Sequence, residues 1–236
     1  MDVMDREQTL EFLARHVKTE MLMKHLLSVE ASMRGYAAKY GEDSGRWGIA
    51  GLLHDFDWEI CPTPEDHPSY GVGLLQKHGY PEDIVRAVLT HGDHTDVKRE
   101  SLMEHTLFAV DELSGFIRAV ALVRPSKSLD DVSPRSVKRK MKDKGFAQNV
   151  NRDDLVRGAE ELGVDLDEHI SFVAESMKPV AGQIGLNLSA MLEWRGILKG
   201  FRLGLCLRKS EAAKVGSFGI PRQYSNLDSP SGGPAP

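Results

Sequence analysis

Cysteine is nearly absent: the 236 residues hold two, Cys61 and Cys206, far apart along the chain. Two thiols so separated cannot build the disulfide framework of a small secreted domain, and a reducing compartment is the expected home. Long apolar runs are lacking too. Without a stretch of about 18 uncharged apolar residues, no membrane-spanning helix is expected. The start, Met1-Asp2-Val3-Met4-Asp5, is acidic with no apolar stretch behind it, which argues against a secretion signal. No segment sustains the period of two that marks a half-buried strand. Nor is the body basic: residues 1–187 carry 23 Lys+Arg against 32 Asp+Glu, so its bulk charge would not hold a nucleic acid polymer. The expectation is a soluble, cytoplasmic protein, with room for a homodimer.

What remains is helix. Leu22, Leu26, Val29 and Met33 recur at helical spacing around His25, and Gly41 is placed to end that helix. Further helices are expected from Arg46 to Asp55, from Pro68 to about His78, and from Glu82 over Ile84, Val85, Val88 and Leu89. The longest periodic run is Ser101 to Val123, with Ser101 and Glu104 spaced as a capping box and Pro125 as its stop. Leu107, Val110, Leu113, Ile117, Val120 and Ala121 form its stripe. Ser133-Pro134 opens another helix, and two more fit within 151–163 and 167–180. The reading is an all-α bundle over residues 1–187. Residues 188–209 admit two readings, a basic amphipathic helix or a frayed extension that adds nothing to the fold, and residues 210–236, rich in Gly, Ser and Pro, read as a disordered tail.

His54-Asp55 closes the apolar run Ile49-Ala50-Gly51-Leu52-Leu53. A carboxylate at the buried end of a helix needs a partner, and a metal is the simplest one. His25 upstream and Asp111 downstream can converge with the pair on one divalent ion, since imidazole and carboxylate suit Zn, Mn, Fe, Co or Ni. Six of the nine histidines fall between residues 54 and 105. Of these, His67 and His91 sit at helix edges, where ligands for a second ion can meet. His94, one turn past His91, would face the same cavity as a proton carrier. His16, His78, His105 and His169 read as ordinary structural histidines. Asp57, Glu59, Glu65 and Asp66 read mostly as solvated loop charges at an acidic mouth, with Asp66 the candidate to orient His67.

The order His…His-Asp…Asp, set in Gly51-Leu52-Leu53-His54-Asp55 and followed by His67-Pro68-Ser69-Tyr70-Gly71, resembles the HD-domain superfamily of metal-dependent phosphohydrolases. The layout of the further histidines is similar to that of bacterial HD-type dinucleoside polyphosphate hydrolases. The likeness covers about residues 20–130. It implies an HD-domain helical bundle holding two divalent ions, with His25, His54 and Asp111 on one, His67 and His91 on the other, and Asp55 between them. It further implies hydrolysis of a phosphoester or phosphoanhydride in a nucleotide or related small phosphate compound, by a hydroxide bridging ions about 3.5–4 Å apart. The same ligands suit a di-iron oxygenase, and a mononuclear 5′-nucleotidase-like phosphatase would not need His67 or His91. A non-catalytic module would hold no metal.

Such a substrate needs cations. Residues 124–144 hold eight Lys+Arg against three acids. Arg118 lies two turns after Asp111, about 10 Å along the same face, and is expected to act in catalysis and substrate binding. Arg124 and Lys127 are expected to fold back over the pocket from the loop beyond. Lys138-Arg139-Lys140 reads as a solvated helix face.

Overall fold

The computed structural model describes residues 5–61, 63 and 66–187, and within them no strand occurs. The expected helix at 188–209 and tail at 210–236 lie outside the described residues. The helices are α1 (Arg6–His16), α2 (Glu20–Tyr40), α3 (Ser44–Leu53), α4 (Ser69–Lys77), α5 (Glu82–Thr90), α6 (Leu102–Leu122), α7 (Pro134–Met141), α8 (Arg152–Glu161) and α9 (Leu166–Met177). Single 3-10 turns lie at Asp93–Thr95, Leu129–Asp131 and Lys178–Val180. The all-α class is as expected. No described helix is long and apolar enough to cross a membrane.

Two 21-residue helices, α2 and α6, form the centre. They pack on each other, α2 also against α3 and α9, and α6 against α5, α8 and α9. The periodic residues explain this. Leu22, Leu26, Val29 and Met33 of α2 are fully buried, as are Leu107, Val110, Leu113, Ile117, Val120 and Ala121 of α6. Each Leu, Ile, Val or Met among them contributes about 1.5–3 kcal/mol when removed from water. Gly41 ends α2 at φ +75°, a left-handed position that costs glycine little. In α5 the buried face runs through Ile84, Val85, Ala87 and Val88, with Leu89 left at its margin.

Three details differ from the sequence reading. Helix α3 begins at Asp43, which caps it, and stops at Leu53, so His54 and Asp55 follow the helix rather than belong to it. Ser101 caps α6 through the Glu104 N–H, but the Glu104 carboxylate takes the N–H of Glu100, not that of Ser101. The reciprocal half of the box is thus shifted by one residue. Helix α1, not singled out from sequence, is opened by a capping box between Asp5 and Gln8 and buries Thr9, Phe12 and Leu13. It is tied to α2 by Arg6, whose guanidinium forms a fork on buried Glu30 at 2.6 and 2.8 Å.

Glycine sets the closest crossing beneath the His54-Asp55 pair. A Cβ on Gly51 would stand 3.0 Å from the Glu30 Cα and backbone N of α2. Both obstacles are main chain, so the helices would have to part. Gly51→Ala is therefore expected to destabilise the fold by about 1–3 kcal/mol, read as a lower denaturant midpoint with unchanged slope. An unaltered midpoint would mean that the α2–α3 contact is looser than described.

Candidate metal centre

Two helix ends deliver two of the histidines by the same local device. His54 caps α3 and His91 caps α5. The last carbonyls of a helix lack intrahelical donors, and each ring supplies one three residues back. His54 Nδ1–H donates to the Gly51 carbonyl at 2.8 Å, and His91 Nδ1–H to the Val88 carbonyl at 2.6 Å. Both rings are then turned with Nε2 away from their helix. His67 is oriented by a carboxylate: its Nδ1–H donates to Asp57 Oδ1 at 2.8 Å. His25 and Asp111 come from the interiors of α2 and α6.

All six residues are buried, the most exposed being Asp111 at 6%. His67 Nε2 and His91 Nε2 lie 3.1 Å apart, each 3.2 Å from Asp55 Oδ1. His25 Nε2 and His54 Nε2 lie 3.0 Å apart, and Asp111 Oδ1 is 3.0 and 3.2 Å from them. The other Asp55 oxygen, Oδ2, is 3.9 and 3.7 Å from that second pair. Donor atoms of His25, His54 and Asp55, and of Asp55, His67 and His91, gather within 4.8 Å of one another. Asp55 therefore presents one oxygen to each pair of imidazoles.

The donors fit divalent cations. A neutral imidazole whose Nδ1 carries the proton has its lone pair on Nε2. In His67 and His91 those lone pairs face each other and a carboxylate oxygen, an arrangement that requires positive charge in its midst. Without metal, only protons can supply it. Burial opposes a charged His54, yet Asp111 and Asp55 push it up to about 9. Burial likewise opposes a charged His67, but hydrogen bonds to Asp55 and Asp57 push it up to about 10. The carboxylates respond in kind. Burial works against ionised Asp55 and Asp111, and the charge of His54, with hydrogen bonds from the other rings, holds both below the usual carboxylate range.

Asp57 is a correction to the sequence reading. It is fully buried, and besides His67 it accepts the Gly71 N–H at 2.8 Å. A Cβ on Gly71 would meet this carboxylate at 2.7 Å, so the glycine leaves room for it. Asp66, expected to orient His67, instead accepts from the Thr63 hydroxyl. The spacing His54-Asp55-x-Asp57 was the available signal, hidden by the look of an acidic loop. Glu59 is structural as well, accepting the backbone N–H groups of Lys18 and Thr19 ahead of α2.

A cavity of about 560 Å³ opens onto the cluster, walled by Asp55, His67, His91 and Asp111 and by Trp58, His94 and Phe108. His94 Nε2–H donates to the His67 carbonyl at 2.9 Å, and its ring stacks on that of His67 at 5.7 Å. The expected cations do not reach this cavity. Two turns of α6 carry Arg118 away from the cavity wall, and its Nε–H donates to the Ile184 carbonyl at 2.7 Å while Nη1 meets the Met21 sulfur. Arg124 lines a separate cleft with Arg135, Lys138 and Arg139. Exposed Lys127 has its carbonyl held by the Asn187 N–H. Arg157, Asn149, Asn151 and Asp154 line the cavity instead, and nothing in their spacing from the histidines singled them out. The remaining histidines serve the fold: His16 and His78 bond carbonyls within their own turns, His105 pairs with Glu161, and buried His169 joins the Tyr36 hydroxyl to the Ala109 carbonyl.

A family model described as HD domain matches residues 22–115, a span that includes all six clustered residues. Among curated proteins, ribonuclease Y of Oleidesulfovibrio alaskensis is 33% identical over 98 residues, 41% of this chain and 18% of the relative. Ribonuclease Y of Desulfotalea psychrophila is 32% identical over 136 residues, 56% of this chain and 26% of the relative. Ribonuclease Y of Nitratidesulfovibrio vulgaris is 30% identical over 98 residues. The chain thus spans about a quarter or less of the curated relatives it matches. No solved structure matches it. The helices that gather His25, His54, Asp55, His67, His91 and Asp111 lie across the span that matches the HD-domain model, residues 22–115 of this chain.

Proposed function

We propose that this protein is a binuclear metal-dependent phosphohydrolase that cleaves a phosphoester or phosphoanhydride in a nucleotide or related small phosphate compound. One observation carries the reading: two pairs of imidazole Nε2 atoms flank a single buried carboxylate, with one Asp55 oxygen turned to each pair. His25, His54 and Asp111 would hold one ion and His67 and His91 the other, with Asp55 between them. Divalent Mn, Fe, Co, Ni or Zn bound there would supply Lewis acidity to a phosphate oxygen and lower the pKa of an attacking water.

The residues of the chain do the rest. Asp55, Asp57 and the two helix-end carbonyls fix the rings, so the donors are set before any ligand arrives. The cavity gives a phosphate group an open approach to the cluster. His94, on its wall and bonded through Nε2–H, keeps a ring nitrogen for relaying a proton. The relatives' name, ribonuclease, denotes cleavage of a phosphodiester, which keeps that bond within the substrate class.

Elemental analysis of the purified full chain tests the metal reading. Two ions per chain are expected, falling towards one in His67→Ala and towards none in Asp55→Ala. One ion unchanged by His67→Ala would point to a mononuclear phosphatase, and none at all would overturn the enzyme. Iron with dioxygen uptake in place of phosphate release would mark an oxygenase.

The role of Asp57 has its own outcome. Asp57→Ala leaves the His67 ring free to turn, and metal affinity should drop by about 10–100-fold. Competition with a chelator reads the change. Equal affinity would show that Asp57 only fills space beneath the Gly71 turn.

A further inference from the structure

Among the described residues, one Lys or Arg side chain lines the cavity over the cluster, Arg157 of α8. Beyond Asp55 and Asp111, three more carboxylates line it: Asp93, Glu112 and Asp154. Helix α8 reaches the cavity because it lies almost on the backbone of α6: a Cβ on Gly158 would stand 2.7 Å from the Ala109 Cα. The neighbouring guanidinium is held in place, with its carbon 4.9 Å from the centre of the Phe108 ring. Nη2 of Arg157 donates to Asp154 at 2.6 Å and also to Asp93. An arginine offers five donors in a planar fork, and both carboxylates meet the same nitrogen. Rim ion pairs of this kind are weak, so an arriving phosphate competes with them on favourable terms.

We infer that Arg157 is the phosphate-recognising residue of this site, and that the acidic wall restricts the substrate to one phosphate group, as a monoester or a diester of a small molecule. The inference rests on the binuclear reading above. Two divalent ions bring four positive charges, of which Asp55 and Asp111 offset two. The two charges that remain match one phosphate monoester dianion, which the Arg157 fork is then placed to recognise. A second and third phosphate would extend from the cluster into Asp93, Glu112 and Asp154. Two like charges at contact distance repel several times more strongly near a protein surface than in bulk water. A chain of phosphates, whether in a dinucleoside polyphosphate or in a nucleic acid strand, meets that repulsion at each added charge.

Calorimetric titration of the manganese-loaded full chain tests this, with inorganic phosphate and inorganic tripolyphosphate as probes and metal content measured after each run. Phosphate should bind at least tenfold more tightly than tripolyphosphate. Arg157→Gln should lose at least tenfold in phosphate affinity with metals per chain unchanged, and Arg157→Lys should recover part of it. Recovery by a bare positive charge separates recognition from a merely structural role. Glu112→Gln combined with Asp154→Asn should narrow the gap between the probes. Tighter tripolyphosphate binding to the wild type, or an Arg157→Gln variant with wild-type phosphate affinity, would overturn the inference. A wild-type chain that takes up no manganese would instead overturn the binuclear reading, and metal content reports that separately.

Discussion

The buried carboxylate of Asp55 is the constraint on which the rest depends. At 2% exposure it has exchanged water for four imidazole edges. An isolated ionised carboxylate in such a place would cost several kcal/mol. The surrounding rings do not offset this by ordinary hydrogen bonding, because the bonds made by Nδ1 leave Nε2 as an acceptor in three of them. Acceptors facing acceptors store repulsion that only a cation, or several protons, can relieve. The core holds this arrangement together, and the arrangement in turn selects what enters it.

The architecture follows from where each ligand must come from. His25 and Asp111 lie mid-helix, so each needs a long helix whose apolar stripe holds it in register. Helices α2 and α6 have such stripes, and the hydroxyls of Ser32 and Ser114 meet between them at 2.9 Å. His54 and His91 need only the end of a short helix, since satisfying a stranded carbonyl already fixes the ring. His67 belongs to an irregular stretch with no helix end to grip, and it takes a buried carboxylate instead. Three ways of aiming a ring thus converge on one acid.

Periodicity made α2 and α6 legible because every stripe position counted is fully buried, and the ligand order made the six clustered residues legible because each carries chemistry by its type alone. Asp57 was not legible: its role depends on burial, and its neighbours Glu59, Glu65 and Asp66 gave it the look of a solvated loop. Arg118 shows the opposite failure. Its helical phase relative to Asp111 was read correctly, but two turns of rise place it beside Ile184 and Met21 rather than over the cavity. Arg157 had no signal at all, because what brings it to the site is the closeness of Gly158 to α6, a tertiary fact.

That contrast bears on how selectivity is divided along the chain. All six clustered residues, and the Asp57 carboxylate behind His67, fall within residues 22–115. Arg157, Asp154, Asn149 and Asn151 come from beyond that span and reach the cavity through α8 and the segment before it. On the proposed function, the span matching the HD-domain model would hold the reactive centre, while the helices after it would set which compound is admitted. The ionic network at the join fits this division. Arg99 and Arg157 both lie against the Phe108 ring, Asp93 meets both guanidinium groups, and Glu161 holds Arg99 from α8. The Arg157 pairs are too exposed to contribute much stability alone, but with largely buried Arg99 they fix the position of the Arg157 guanidinium in the wall. On that reading, a change in α8 would alter recognition without touching any of the six clustered residues, and similarity over residues 22–115 bears on the cluster and not on the wall that α8 contributes.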